Sequence, residues 1–140
     1  MASWRDTASE EAQETLDGLF STALDLAEQQ IGKQGGFAPF ALHVTAEGDG
    51  SIEMADEPDS DKALEILWSG AREQRDKLAA VAVVVDVSLP DDGWADGIRV
   101  EAEHREGVAL IVVAPYRRKR LRRSVELGQF RSVPGEQRVW

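Results

Sequence analysis

Cysteine is absent from the 140 residues of this chain. That excludes a disulfide framework, a thiol nucleophile and any cysteine-ligated zinc or iron–sulfur centre. Histidine is nearly as scarce, with His43 and His104 the only two. Neither stands in a His-x-x-x-His or His-Glu-x-x-His spacing, so a helical zinc motif is missing. The acidic stretch from Asp49 to Asp61 is not a calcium loop, because Met54 falls where the sharp-turn glycine would be needed. No Gly-x-Ser-x-Gly elbow occurs. Gly32-Lys33-Gln34-Gly35-Gly36 lacks the Gly-Lys-Ser/Thr ending of a phosphate loop and follows a helix pattern instead of preceding one. Long apolar runs are missing too. The longest, Leu78 to Val85, is far below the roughly 20 residues a membrane helix needs. The opening Met1-Ala2-Ser3-Trp4-Arg5-Asp6 lacks the basic-then-apolar order of a secretory signal. These absences predict a soluble, cytoplasmic, non-enzymatic domain with no cofactor and no membrane association.

Charge is present in abundance and unevenly placed. The formal net charge is −10. Residues 1–115 carry 8 basic and 24 acidic side chains, a net −16, whereas residues 116–140 carry 8 and 2, a net +6. The acids are densest from Glu47 to Asp61. The basic surplus lies in Arg117, Arg118, Lys119, Arg120, Arg122 and Arg123. An acidic body repels phosphates over most of its surface, which makes broad nucleic-acid binding unfavourable and recognition of a basic partner favourable. The six-cation segment is the expected binding site. It can pair with the protein's own acids, such as those from Asp49 to Asp61, with a second subunit, with another protein, or with phosphates of a nucleic acid.

Periodicity predicts the elements of a single domain over residues 1–140, with 116–140 as a basic extension. Thr7 and Glu10 have capping-box spacing, and Leu16, Leu19, Phe20, Ala23, Leu24, Ala27 and Ile31 repeat at helical steps up to Gly32, Gly35 and Gly36. A strand over 37–46 and a short return over 51–55 flank the Glu47-Gly48-Asp49-Gly50 turn, with Ile52 and Met54 expected to point inward. Asp59 or Ser60 caps a second helix that runs to about Lys77, with an apolar face of Leu64, Leu67, Trp68, Ala71 and Leu78. Residues 79–89 are apolar on both faces up to Asp86, as a covered central strand requires. Over 98–105 a core face (Ile98, Val100, Ala102, His104) alternates with a charged face (Arg99, Glu101, Glu103, Arg105). A fifth strand follows over 108–114; residues 117–127 also fit a basic helix, but the weak alternation over 124–130 favours one more strand.

The expected class is α+β: an antiparallel sheet of five or six strands with two helices packed on it, in the order α-β-β-α-β-β-β(-β). That order resembles the roadblock and profilin-like folds. The string Phe37-Ala38-Pro39-Phe40, the strand ending in Asp86, the run Asp96 to His104, Gly107 and Pro115-Tyr116 resembles small bacterial proteins of unassigned function over about residues 36–116. That resemblance implies a self-contained bacterial domain and assigns no residue a role. The leading expectation is a protein–protein interaction or regulatory module, acting on a protein partner or on its own twin as a homodimer. The alternatives are a small hydrolase or ligand-binding enzyme using His43 or His104 with carboxylates, and phosphate contact through residues 117–123. Trp140 is expected to fold back and anchor the tail.

Overall fold

A computed structural model describes residues 3–89, 93–119 and 124–140. Three α-helices, α1 (Trp4–Thr7), α2 (Glu10–Gln34) and α3 (Ser60–Gln74), accompany seven strands: β1 (Phe40–Thr45), β2 (Gly50–Met54), β3 (Leu78–Leu89), β4 (Ala95–His104), β5 (Val108–Arg118), β6 (Val125–Leu127) and β7 (Arg131–Pro134). All strands join one antiparallel sheet in the order β2-β1-β3-β4-β5-β6, with β7 also pairing β5. The α+β class and the order α-β-β-α-β-β-β are present. The sheet is larger than expected by one or two strands, because both short C-terminal strands add to the same edge of β5: β6 along Tyr116–Arg118 and β7 along 110–113. Among the described residues no helix is long and apolar enough to cross a membrane.

The long helix α2 begins later than the Thr7–Glu10 spacing predicts, after a separate short helix. Ser3 and Asp6 form the capping box of the short α1, and Ser9 caps α2 by accepting the Ala12 N–H. Ser9 also donates its hydroxyl to Glu106 at 2.5 Å, which ties the helix start to the β4–β5 turn. Gly35, at φ +82, ends α2 in the left-handed conformation that favours glycine.

Strand β3 is the centre of the molecule, and its two faces feed two cores. Ala80, Ala82 and Val84 pack with Leu16, Leu19, Ala23, Ala27 and Ile31 of α2. Val81 and Val83 pack with Leu67, Trp68 and Ala71 of α3. Burying each of these valines, leucines and isoleucines contributes roughly 1.5–3 kcal/mol, so a strand apolar on both faces is stable only between two covering layers.

Helix α3 covers only part of its face, and the C-terminal tail covers more. Val139 is buried in the α3-side core and Trp140 packs against it, so the tail is anchored as expected. The anchor is Glu103, which alternation placed on an exposed charged face and which is in fact 1% exposed. Its carboxylate accepts the N–H groups of Arg138 (2.9 Å), Val139 (3.1 Å) and Trp140 (3.0 Å). Three successive amides replace the water that a buried carboxylate gives up. Around them Arg72 donates to the Arg138 carbonyl at 3.2 Å, and Arg138 bridges to Glu101 at 3.4 Å and lies over Trp68. Replacing Glu103 with Gln turns one acceptor oxygen into a donor facing those amides. We expect Glu103→Gln to cost about 1–3 kcal/mol and to speed amide exchange at residues 138–140, measured by NMR. Unchanged exchange there would contradict the anchoring role.

Candidate functional site

The basic segment expected to bind begins in β5 and runs off its end. Arg117 lies 4.0 Å over the Trp94 ring and pairs with Glu126 on β6 at 3.4 Å. Arg118 donates to the Gly32 carbonyl at 3.0 Å and so neutralises the carboxyl end of α2, where the helix dipole favours a cation. The Lys119 backbone N–H donates to the Ser124 carbonyl at 2.9 Å. Arg120, Arg122 and Arg123 lie outside the described residues. Pairing of this segment with the Asp49–Asp61 acids of the same chain is corrected for Arg117 and Arg118. Their partners are Glu126 and Gly32, and β2 lies at the opposite edge of the sheet from β6.

The two histidines do not converge. His104 is in phase with Val100 and Ala102 and lies on the α2 face. His43, out of phase with Leu42 and Val44, shares the α3 face with Ala41. Both are buried. The His104 Nδ1 accepts the Glu106 N–H at 3.1 Å, with the Glu106 carboxylate 3.9 Å away, while the buried His43 Nε2 has no hydrogen-bond partner. Among the described residues no group of three or more His, Asp or Glu side chains could hold a metal ion.

A third surface comes from how α2 sits on the sheet. Its buried stripe (Ala12, Leu16, Leu19, Ala23, Ala27, Ile31) packs chiefly over β3 and β4. The β1–β2 hairpin therefore projects past the helix and leaves a groove between them. One wall is the flank of α2 at four-residue spacing: Glu14, Gly18, Thr22, Leu26, Gln30 and Gln34. Leu42 and Val44 on β1 and Ile52 and Met54 on β2 form the other side. Gly18 has nothing within 4 Å of where a side chain would start, so the helix wall is low there. The groove comprises two hollows of about 540 and 270 Å³ that share Ile52. Ile52 and Met54, expected to be buried, are 54% and 62% exposed. The correction is physical: their alternation is that of a core face, but no helix lies above them.

β2 also ends the sheet, and β1 is the only strand that pairs with it among the described residues. The turn fixes which of its backbone groups are free. Thr45 donates to the Asp49 carbonyl at 2.8 Å, and Gly48, at φ +94, donates to the Thr45 carbonyl at 3.0 Å. Thr45 and Asp49 are thus a hydrogen-bonded pair, and the bonds then alternate along the ladder. Ser51 and Glu53 bond to β1, while Gly50, Ile52 and Met54 direct their N–H and C=O groups to the open edge. The sequence signals the hairpin; the open edge and the overhang follow from topology.

No family model, curated protein or solved structure matches the chain.

Burial is the main cause that holds both imidazoles below histidine's ordinary 6.5, opposed by Glu53 near His43 and by Glu106 near His104. The unfolded chain therefore binds protons that the folded chain refuses. Their contribution is complete above about pH 6.5 and is lost as pH falls below it toward the folded-state values. Thermal melts between about pH 7 and pH 5.5 should show the wild type losing more stability than a His43→Leu/His104→Gln variant. Equal pH slopes would contradict this.

Proposed function

We propose that the chain is a non-catalytic protein-interaction module that receives a partner segment in the groove between α2 and the β1–β2 hairpin. The observation that carries this reading is the coincidence of two unsatisfied surfaces at one place. Ile52 and Met54 expose apolar side chains to the groove, and the same two residues present unpaired backbone groups at the sheet edge. Either feature alone is a liability, because exposed apolar patches and open strand edges both promote unwanted association. Found together beside a groove of this size, they support a recognition surface. His43 and His104 are both buried, which leaves the alternative of a hydrolase using either one without an exposed imidazole.

A random peptide library panned against the full chain tests the reading. Peptides should be enriched on the wild type and lose binding by about tenfold or more, near 1.4 kcal/mol, on Ile52→Asp and Met54→Asp variants. Both positions are exposed, so neither change should unfold the protein. Enrichment of nothing, or of peptides indifferent to both variants, would overturn it.

A further inference from the structure

The groove reading leaves the partner's chemistry open, and the charge around the edge narrows it. Between Lys33 and Lys62 the sequence has no Lys or Arg, but it has seven acids: Glu47, Asp49, Glu53, Asp56, Glu57, Asp59 and Asp61. These residues are the hairpin turn, strand β2 and the loop into α3, so the acids bracket the open edge at both ends. Within the groove Glu14 is the only side chain carrying a full charge. The two faces of β2 differ in kind. Ile52 and Met54 lie on the α2 face, beside the groove, and Ser51 and Glu53 lie on the other.

We propose that the occupant is an extended segment of another protein, with apolar and basic residues in alternation, which adds to β2 as an eighth strand. This rests on the groove reading and deepens it. The strand's backbone bonds the free groups of Gly50, Ile52 and Met54. Its apolar side chains fall on the α2 face, cover Ile52 and Met54, and enter the groove. Its Lys or Arg side chains fall on the opposite face, beside Glu53, with Asp49 and Asp56 within the field at either end. A second copy of this chain fits the edge less well. β2 against β2 brings two stretches of seven acids and no base together, and like charges across a strand pair are destabilising. Arg117 and Arg118 sit at the far side of the sheet from this edge.

Labelled peptides of equal length test the proposal on the full chain by fluorescence anisotropy. A peptide alternating Lys with Val should bind at least about tenfold tighter than one alternating Glu with Val at low salt, and the gap should close as salt is raised. Strand addition has a period-two signature that needs no protein variant. N-methylating one alternate set of amides in the Lys–Val peptide should remove binding, and methylating the other set should leave it. Glu53→Gln with Asp49→Asn should weaken the Lys–Val peptide and not the Glu–Val one. Equal affinity for both peptides, insensitivity to both methylated sets, or a dimer at micromolar concentration that protects the Ile52 amide without peptide would overturn the proposal. If library peptides still depend on Ile52 and Met54 in any of those cases, the groove reading survives and only the basic-strand occupant falls. If they do not, both fall.

Discussion

Strand β3 sets the constraint from which the rest of the molecule follows. Its alternating Ala80, Ala82, Val84 and Val81, Val83 leave no face that water can tolerate, so two layers must be supplied. Helix α2 supplies one with a single continuous stripe over its 25 residues. Helix α3, with 15 residues, supplies part of the other. The remainder is closed by the tail, whose backbone has no strand to pair with at residues 138–140 and bonds to Glu103 instead. A buried carboxylate is costly, and here it serves as a backbone acceptor for a segment that would otherwise have three unsatisfied amides under Trp68 and Arg72.

The same constraint creates the groove. A helix of α2's width covers about two strands, since strands are about 4.8 Å apart and a helix with its side chains is roughly 10 Å across. With α2 over β3 and β4, the far strand β2 cannot be roofed. Ile52 and Met54 are the price of that placement, and the edge beyond them is the unpaired end of the sheet. On the opposite edge β5 receives β6 and β7, and the Arg117–Trp94 and Arg118–Gly32 contacts fasten the exit of β5 to a loop and to the end of α2. The sheet thus finishes at one end in the short strands β6 and β7 and at the other in β2, and the β2 edge is the one that carries the acids.

Much of this was legible from residue order. The helical repeats of α2 and, up to Ala71, of α3, the two-sided apolar run of β3 and the one-sided alternation of β4 appear where periodicity puts them, whereas Leu78 opens β3 and does not extend the face of α3. What escaped depends on contacts between distant residues. Glu103 reads as one more charge on a charged face because its partners lie 35 to 37 positions later and offer backbone amides, which leave no mark in side-chain patterning. Ile52 and Met54 read as core because alternation reports what a strand could bury, not whether a helix is there to bury it. Arg118 reads as part of a binding patch because its acceptor is a main-chain carbonyl 86 residues earlier. Ser9 displaced Thr7 as the cap for a local reason: Ser3 starts a separate turn that ends before α2 begins.

A partner strand needs an open, period-two edge along β2. Residue-resolved amide exchange on the free chain measures this directly. Exchange is expected to be slow at Ser51 and Glu53, bonded to β1, and fast at the intervening Ile52 and Met54. Uniformly slow exchange along β2 would show an edge already paired and would contradict an open one.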